Sequence, residues 1–267
     1  MITAARLARL KVDHHRGVRT KFSCRSPGPI TLLVMAMPEL SPVSVAFLVF
    51  PNVTQLDLTG PAQVLSRLGN VTLNLVWKNK EPVPTDAGFP LLPTATFDEI
   101  DQADILCVPG GLGTMEVMQD ERVLAWLRSI ATGADWVTSV CTGSLVLGAA
   151  GLLKGYKSAC HWASIDQLSY FGATPVRERI VEDRNRFSGG GVTSGIDFAL
   201  ALAARIRSDD FARFIQLSIE YDPSPPFDAG SPDKVSPEIL KRYYKLIEAA
   251  VPDRDAKVKS IAESLGF

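Results

Sequence analysis

The sequence is poor in the residues that mark specialised scaffolds. Cysteine is sparse: Cys24, Cys107, Cys141 and Cys160 are the four in 267 residues, and none forms a C-x-x-C pair. Four scattered cysteines exclude a disulfide-stapled scaffold. Histidine is scarcer still, three in all, and His161 is the one that lies beyond residue 15. No apolar run approaches the length of a bilayer crossing, so a membrane partner is not expected. Positive charge is not in excess either, with 28 Lys and Arg against 29 Asp and Glu. Seven of those bases fall in residues 1–43, which leaves 21 basic and 27 acidic residues in the rest. An acidic body disfavours sequence-independent nucleic-acid binding, which needs a basic face. Two cysteines, Cys107 and Cys141, sit in or at the end of apolar β-like runs, which fits a reducing, cytoplasmic protein.

What remains is ordinary globular composition, 46% hydrophobic and 21% charged, long enough for one large domain. Residues 1–42 are Arg-rich, acid-poor and without amphipathic period. They are read as a disordered extension, either a transit peptide or, by preference, the product of a start assigned upstream of Met35 or Met37. From residue 43 to 221 short apolar runs alternate with helical stretches, the pattern of an α/β domain with a mostly parallel sheet. Strands are predicted over 45–50, 71–77, 105–108 and 135–140, and a helix from Gly60 through Leu68 with Pro61 in its first turn. Residues 222–267 form a third region. Prolines and Gly230 between Pro223 and Pro232 force an extended arm, with Tyr221 and Phe227 as anchors, and two polar helices follow near 237–250 and 254–265. This region is expected to pack on the domain or on a second copy.

The most informative segment is Val137 to Ser144, V-T-S-V-C-T-G-S. A strand that turns straight into a helix through small residues presents the turn residue at the carboxyl edge of a sheet. A thiol there meets the positive end of a helix dipole, which favours thiolate. Cys141 is therefore a candidate nucleophile, against the plainer reading of a small buried cysteine at a strand end. Asp57 follows the first strand and reads equally as a helix-capping residue or as an acid or base. Gly110 and Gly111 end the strand over 105–108. They make either a plain turn or a pair of N–H groups offered to a developing anion. His161 either pairs with a thiol or packs beside Trp162. Cys160 and His161 do not make a metal pair, because adjacent strand residues point to opposite faces and no further ligands accompany them.

Cys141 in its elbow, Pro109-Gly110-Gly111 one strand earlier and Ala159-Cys160-His161-Trp162 after it resemble the ThiJ/PfpI superfamily. Phe50-Pro-Asn-Val-Thr-Gln-Leu-Asp-Leu-Thr-Gly-Pro61 and Tyr221-Asp-Pro-Ser-Pro-Pro-Phe-Asp-Ala-Gly-Ser-Pro232 are similar to its isonitrile hydratase branch, which carries Asp where many members carry Glu. The resemblance implies a flavodoxin-like three-layer sandwich, often dimeric, and a hydro-lyase that adds water to an isonitrile to give an N-substituted formamide. It implies Cys141 as nucleophile through a thioimidate, Asp57 as acid/base, and Thr142 as the hydroxyl neighbour. Gly110, Gly111 and His161 would lie at the pocket, with His161 not the base. No metal and no organic cofactor is implied; the partners are a small-molecule substrate and a second copy of the chain.

Fold does not dictate function. A glyoxalase- or deglycase-like enzyme acting on reactive carbonyls would use the same Cys141 but prefers Glu at position 57. A regulator of this superfamily would add a helix-turn-helix domain, and a redox sensor would need only an oxidisable Cys141. The tail from Pro223 to Phe267 is too short for a two-motif DNA-binding domain and carries seven basic and seven acidic residues, with no basic face.

Overall fold

A computed structural model describes residues 40–267. The readings made for the extension up to residue 39, including Cys24, His14 and His15, lie outside the described residues. The first described residues are tied to the domain: Arg207 donates to the Ser41 carbonyl at 2.7 Å, and the Asn70 amide donates to the Leu40 carbonyl at 2.7 Å.

The chain runs β1 (Val43–Leu48), α1 (Gln55–Leu65), β2 (Val71–Trp77), β3 (Val83–Pro84), β4 (Pro90–Leu91), β5 (Ala95–Thr96) and β6 (Ile105–Val108). It continues through α2 (Thr114–Val117), α3 (Glu121–Gly133), β7 (Trp136–Val140), α4 (Gly143–Ala149), β8 (Lys157–Ser158), a 3-10 helix over Ile165–Phe171 and β9 (Thr174–Pro175). Then come β10 (Ile180–Asp183), β11 (Arg186–Gly189), α5 (Ser194–Ile206), α6 (Asp209–Ser218), α7 (Pro237–Ala250) and α8 (Arg254–Ser264).

Seven strands form one sheet in the order β10-β11-β7-β6-β1-β2-β5. All its pairs are parallel except the β10–β11 hairpin. Taken in chain order, β2-β1-β6-β7-β11 is the flavodoxin-like sequence of strands, and it reverses direction between β1 and β6. Side chains alternate across a strand, so β1 feeds two cores. Val45 and Phe47 pack with Leu58 and Val64 of α1, Phe198 and Leu202 of α5 and Ile215 of α6. Ala46 and Leu48 pack on the other face with Leu124 and Leu127 of α3, Leu145 of α4 and Val258 and Ile261 of α8. Strands buried on both faces read as unbroken apolar runs, which is why β1 and β6 carry no polar alternation.

One boundary matters for the site. The helix predicted to open at Gly60 begins at Gln55, so Asp57 is in the first turn of α1 rather than in a loop, and Pro61 is inside the helix. The proline made Gly60 look like a start, but proline can also sit beyond the first turn when packing holds the helix, and Leu58, Gly60, Pro61 and Val64 are all buried. The short α2, β5 and the β8–β9 pair have too few residues to show a period and were not foreseen.

Candidate active site

The β7–α4 junction is a sharp elbow. Cys141 takes φ 58°, a left-handed conformation that bulky L-residues avoid and that persists only where surroundings impose it. Its N–H donates to the Gly189 carbonyl at 3.0 Å, continuing the β7–β11 ladder into the turn. Two residues on, α4 starts hard against the end of β6: a Cβ on Gly143 would lie 2.1 Å from the Val108 carbonyl oxygen. The Ser144 hydroxyl is 2.8 Å from that of Ser139 and donates to the Ala159 carbonyl at 2.7 Å, which ties the elbow to the segment leading into His161.

The elbow, the first turn of α1 and the Pro109-Gly110-Gly111 turn meet at the crevice between β1 and β6. Asp57 is fully buried, and its Oδ2 accepts the Gly110 N–H at 2.9 Å. Oδ1 has no partner at hydrogen-bond geometry among the described residues, and the Cys141 thiol is the polar group that faces the carboxylate. Burial pushes the Asp57 carboxyl up to about 7, against the Gly110 N–H and the Cys141 thiol, which both favour its charge, while Asp86 adds to the rise. Burial also pushes the Cys141 thiol well above its ordinary value, and the Asp57 charge adds to that; the Thr142 N–H opposes without prevailing. The resting Cys141 is thus a thiol beside a carboxyl whose affinity for its proton burial has raised. This differs from the thiolate expected of a helix N-terminus. Desolvation and a neighbouring negative charge outweigh the dipole of a helix only seven residues long.

The N–H groups of the two glycines are engaged within the protein. The Gly110 N–H is taken by Asp57, and the Gly111 N–H donates to Oγ1 of Thr142 at 3.0 Å. A Cβ on Gly110 would lie 2.6 Å from both the Thr142 nitrogen and its Oγ1, and 2.9 Å from Oδ2 of Asp57. Glycine is needed there for close approach. Gly111 needs it for conformation as well, with φ 138°.

A cavity of about 170 Å³ opens onto Cys141, Thr142, Gly111 and His161. Asp57 reaches it through Cys141 and does not itself line it. His161 is pushed down to about 4 by burial and by the Arg254 cation, so the ring is neutral. Its Nδ1 accepts the Ala163 N–H at 3.3 Å, which leaves the proton on Nε2, 3.4 Å from the Tyr243 hydroxyl. A larger hollow of about 640 Å³ beside it shares Leu112, Met115 and Val251 but does not reach the elbow, so the smaller cavity is the one that opens onto Cys141.

Tyr243 and Ile247 of α7, Val251 just beyond its end and Arg254 of α8 also line the cavity. Nothing in the sequence reading pointed to them. Tyr243, Ile247 and Val251 stand four apart and share a helix face, a spacing that the polar look of the region concealed. The tail packs on its own domain: Val258, Ile261 and Ala262 are buried, Tyr170 donates to Asp255 at 2.8 Å, and the Phe171 and Phe267 rings meet edge-on at 5.4 Å. Of the two expected anchors, Tyr221 is held by Asp197 at 3.1 Å, whereas Phe227 is 77% exposed.

Known proteins resemble this chain in sequence and in fold. Residues 43–205 match the DJ-1/PfpI family model. The chain is 53% identical over 203 residues to the isonitrile hydratase of Pseudomonas putida, covering 76% of this chain and 89% of that one. A solved ThiJ/PfpI family protein from Pseudomonas syringae superposes with a TM-score of 0.80 at 38% identity, covering 93% of this chain and 99% of that chain. The transcriptional regulator GbdR of Pseudomonas aeruginosa is 27% identical over 190 residues, and the match spans 52% of its length.

Proposed function

This chain belongs to the DJ-1/PfpI family, and we propose that it is an isonitrile hydratase, a hydro-lyase that converts an isonitrile and water to an N-substituted formamide. The observation that carries the reading is the buried Asp57 carboxyl, held by the Gly110 N–H and facing the Cys141 thiol at the elbow. The 53% identity to the Pseudomonas putida enzyme supports the reaction class.

The chemistry follows from that pair. Sγ of Cys141 attacks the terminal carbon of R–N≡C as its proton passes to Asp57. The S–C bond forms, the carbon gains the electron pair, and Asp57 returns the proton to that carbon, leaving the thioimidate R–N=CH–S–Cys141. Water then adds to the same carbon, with Asp57 taking its proton and the nitrogen receiving one. Collapse of R–NH–CH(OH)–S–Cys141 breaks the C–S bond and releases R–NH–CHO and the thiol. Asp57 near neutral midpoint suits both directions of proton transfer, a contribution of about 10²–10⁴-fold. The Gly110 N–H holds Oδ2 so that Oδ1 is the oxygen turned to the work. Gly111 orients the Thr142 hydroxyl. Neutral His161 shapes the pocket and takes no proton.

Among the described residues no helix is long and apolar enough to cross a membrane. A homodimer in the cytoplasm is part of the same proposal, checked by sedimentation of the purified protein. The decisive experiment incubates the protein with an aliphatic isonitrile and follows formamide by NMR. Formamide at no more than the rate of Cys141→Ala would overturn the reading.

A further inference from the structure

The cavity wall contains a charge that the chain does not balance. Arg254, the first residue of α8, lines the cavity together with Cys141. Its guanidinium donates to the Ser164 hydroxyl, a neutral partner. Among the described residues no carboxylate lies within ion-pair distance of it. Of the acids around it, Asp253 is solvent-exposed and outside ion-pair distance, and the others are engaged elsewhere. Asp166 pairs with Arg177 at 2.7 Å, Asp255 accepts from Tyr170 at 2.8 Å and Gln167 at 3.4 Å, and Glu248 accepts the Asp253 N–H at 3.2 Å. The cation is felt inside the site, since it lowers the proton affinity of both His161 and Cys160.

Much of the rest of the wall is apolar, with Met115, Val192, Ile247 and Val251 around the thiol. Arg254 is part-buried, so water only partly solvates its charge on this wall, and an anion in the cavity would be attracted to it. The reaction already fixes one end of the visitor. An isonitrile is linear through C, N and the first atom of R, so a carbon seated at Sγ sends R towards the far wall. The volume of about 170 Å³ limits R, since a cavity of about 150 Å³ takes a molecule the size of benzene.

We propose that the preferred substrates are compact isonitriles whose R group carries a carboxylate, and that Arg254 is the specificity-determining residue that receives it, opposite Cys141. The inference rests on the hydratase reading and names its substrate class. Arginine suits the task because its planar fork takes a carboxylate with two parallel N–H bonds while Ser164 steadies the group from behind.

The test compares isocyanoacetate with its neutral methyl ester, following formamide by NMR with wild-type protein, Arg254→Gln and Arg254→Lys. Wild type should show kcat/KM at least about tenfold higher for the acid. Arg254→Gln should lower the acid-to-ester ratio at least about tenfold, mainly through KM of the acid, and Arg254→Lys should keep part of it. Hydration of the ester without preference for the acid by wild type overturns this inference and leaves the hydratase reading standing; so does an unchanged ratio in Arg254→Gln. Hydration of neither compound overturns this inference, and an aliphatic isonitrile run alongside decides the hydratase reading separately. Should Arg254→Gln fail to fold, the wild-type ratio and Arg254→Lys decide.

Discussion

The Gly110 N–H holds one oxygen of Asp57 at 2.9 Å, and the other oxygen has no partner at hydrogen-bond geometry, with the Cys141 thiol facing the same carboxylate. A buried carboxylate anchored on one side and available on the other is a proton carrier with a fixed address. Burial supplies its high affinity for the proton, and the backbone supplies its aim.

Replacing Cys141 by Ala should abolish turnover and leave the far-UV CD spectrum unchanged and the stability within about 1 kcal/mol, since only a small buried group is lost. Iodoacetamide should label Cys141 before Cys107 and Cys160, because it alone of the three lines the cavity. Preferential labelling of either other cysteine would argue against a nucleophile at the elbow.

Asp57→Asn should slow turnover at least about tenfold. The wild-type rate should rise with pH through a midpoint near 7, the value to which burial lifts Asp57, and the variant should lack that rise. The linked stability has the opposite sign. A carboxyl whose folded affinity for protons exceeds its unfolded one stabilises below pH 4 and loses that contribution as pH climbs through 7. Asp57→Asn should therefore gain on wild type between pH 4 and 7, by up to about 4 kcal/mol. Chemical denaturation across that range measures it, and a constant difference would disprove the shift.

Gly110→Ala tests the close approach. The added methyl meets the Thr142 backbone at 2.6 Å and Oδ2 of Asp57 at 2.9 Å, so either the turn or the carboxylate must move. A loss of about 1–3 kcal/mol in stability is expected from overpacking. Activity should fall further than the fraction unfolded explains; normal kcat/KM in a folded Gly110→Ala would show that the contact has slack.

Truncation after Tyr221 removes Val258 and Ile261 from the core and Tyr243 and Arg254 from the cavity. The two aliphatic side chains together account for roughly 3–6 kcal/mol. Both the melting temperature and turnover should drop, and an unchanged melting curve would mean that the tail is not part of the folded domain. Sedimentation of the same variant reports whether the tail also joins two copies.

His161→Asn should leave the pH midpoint near 7 in place, because the neutral ring contributes no titration there. A shift of that midpoint would assign the transition to His161 instead of Asp57.

The parts of the site that the sequence determined are those whose signal is local. Unbroken apolar runs announced β1, β6 and β7, and V-C-T-G-S announced the elbow, because a strand that must become a helix within two residues needs small side chains there. The start of α1 was less legible: Pro61 mimicked a first-turn proline, and only packing against α5 shows that the helix begins at Gln55. The tertiary structure alone decided the rest. The protonation of Cys141 depends on burial and on the Asp57 charge, neither of which lies near it in sequence. The use of the Gly110 and Gly111 N–H groups depends on which acceptors the crevice brings within 3.0 Å. Tyr243 and Arg254 stand about a hundred residues from the elbow, and no local pattern records that α7 and α8 fold back over it. Long-range electrostatics and packing are properties of the assembled chain, and there the residues that choose the substrate are brought to the residue that attacks it.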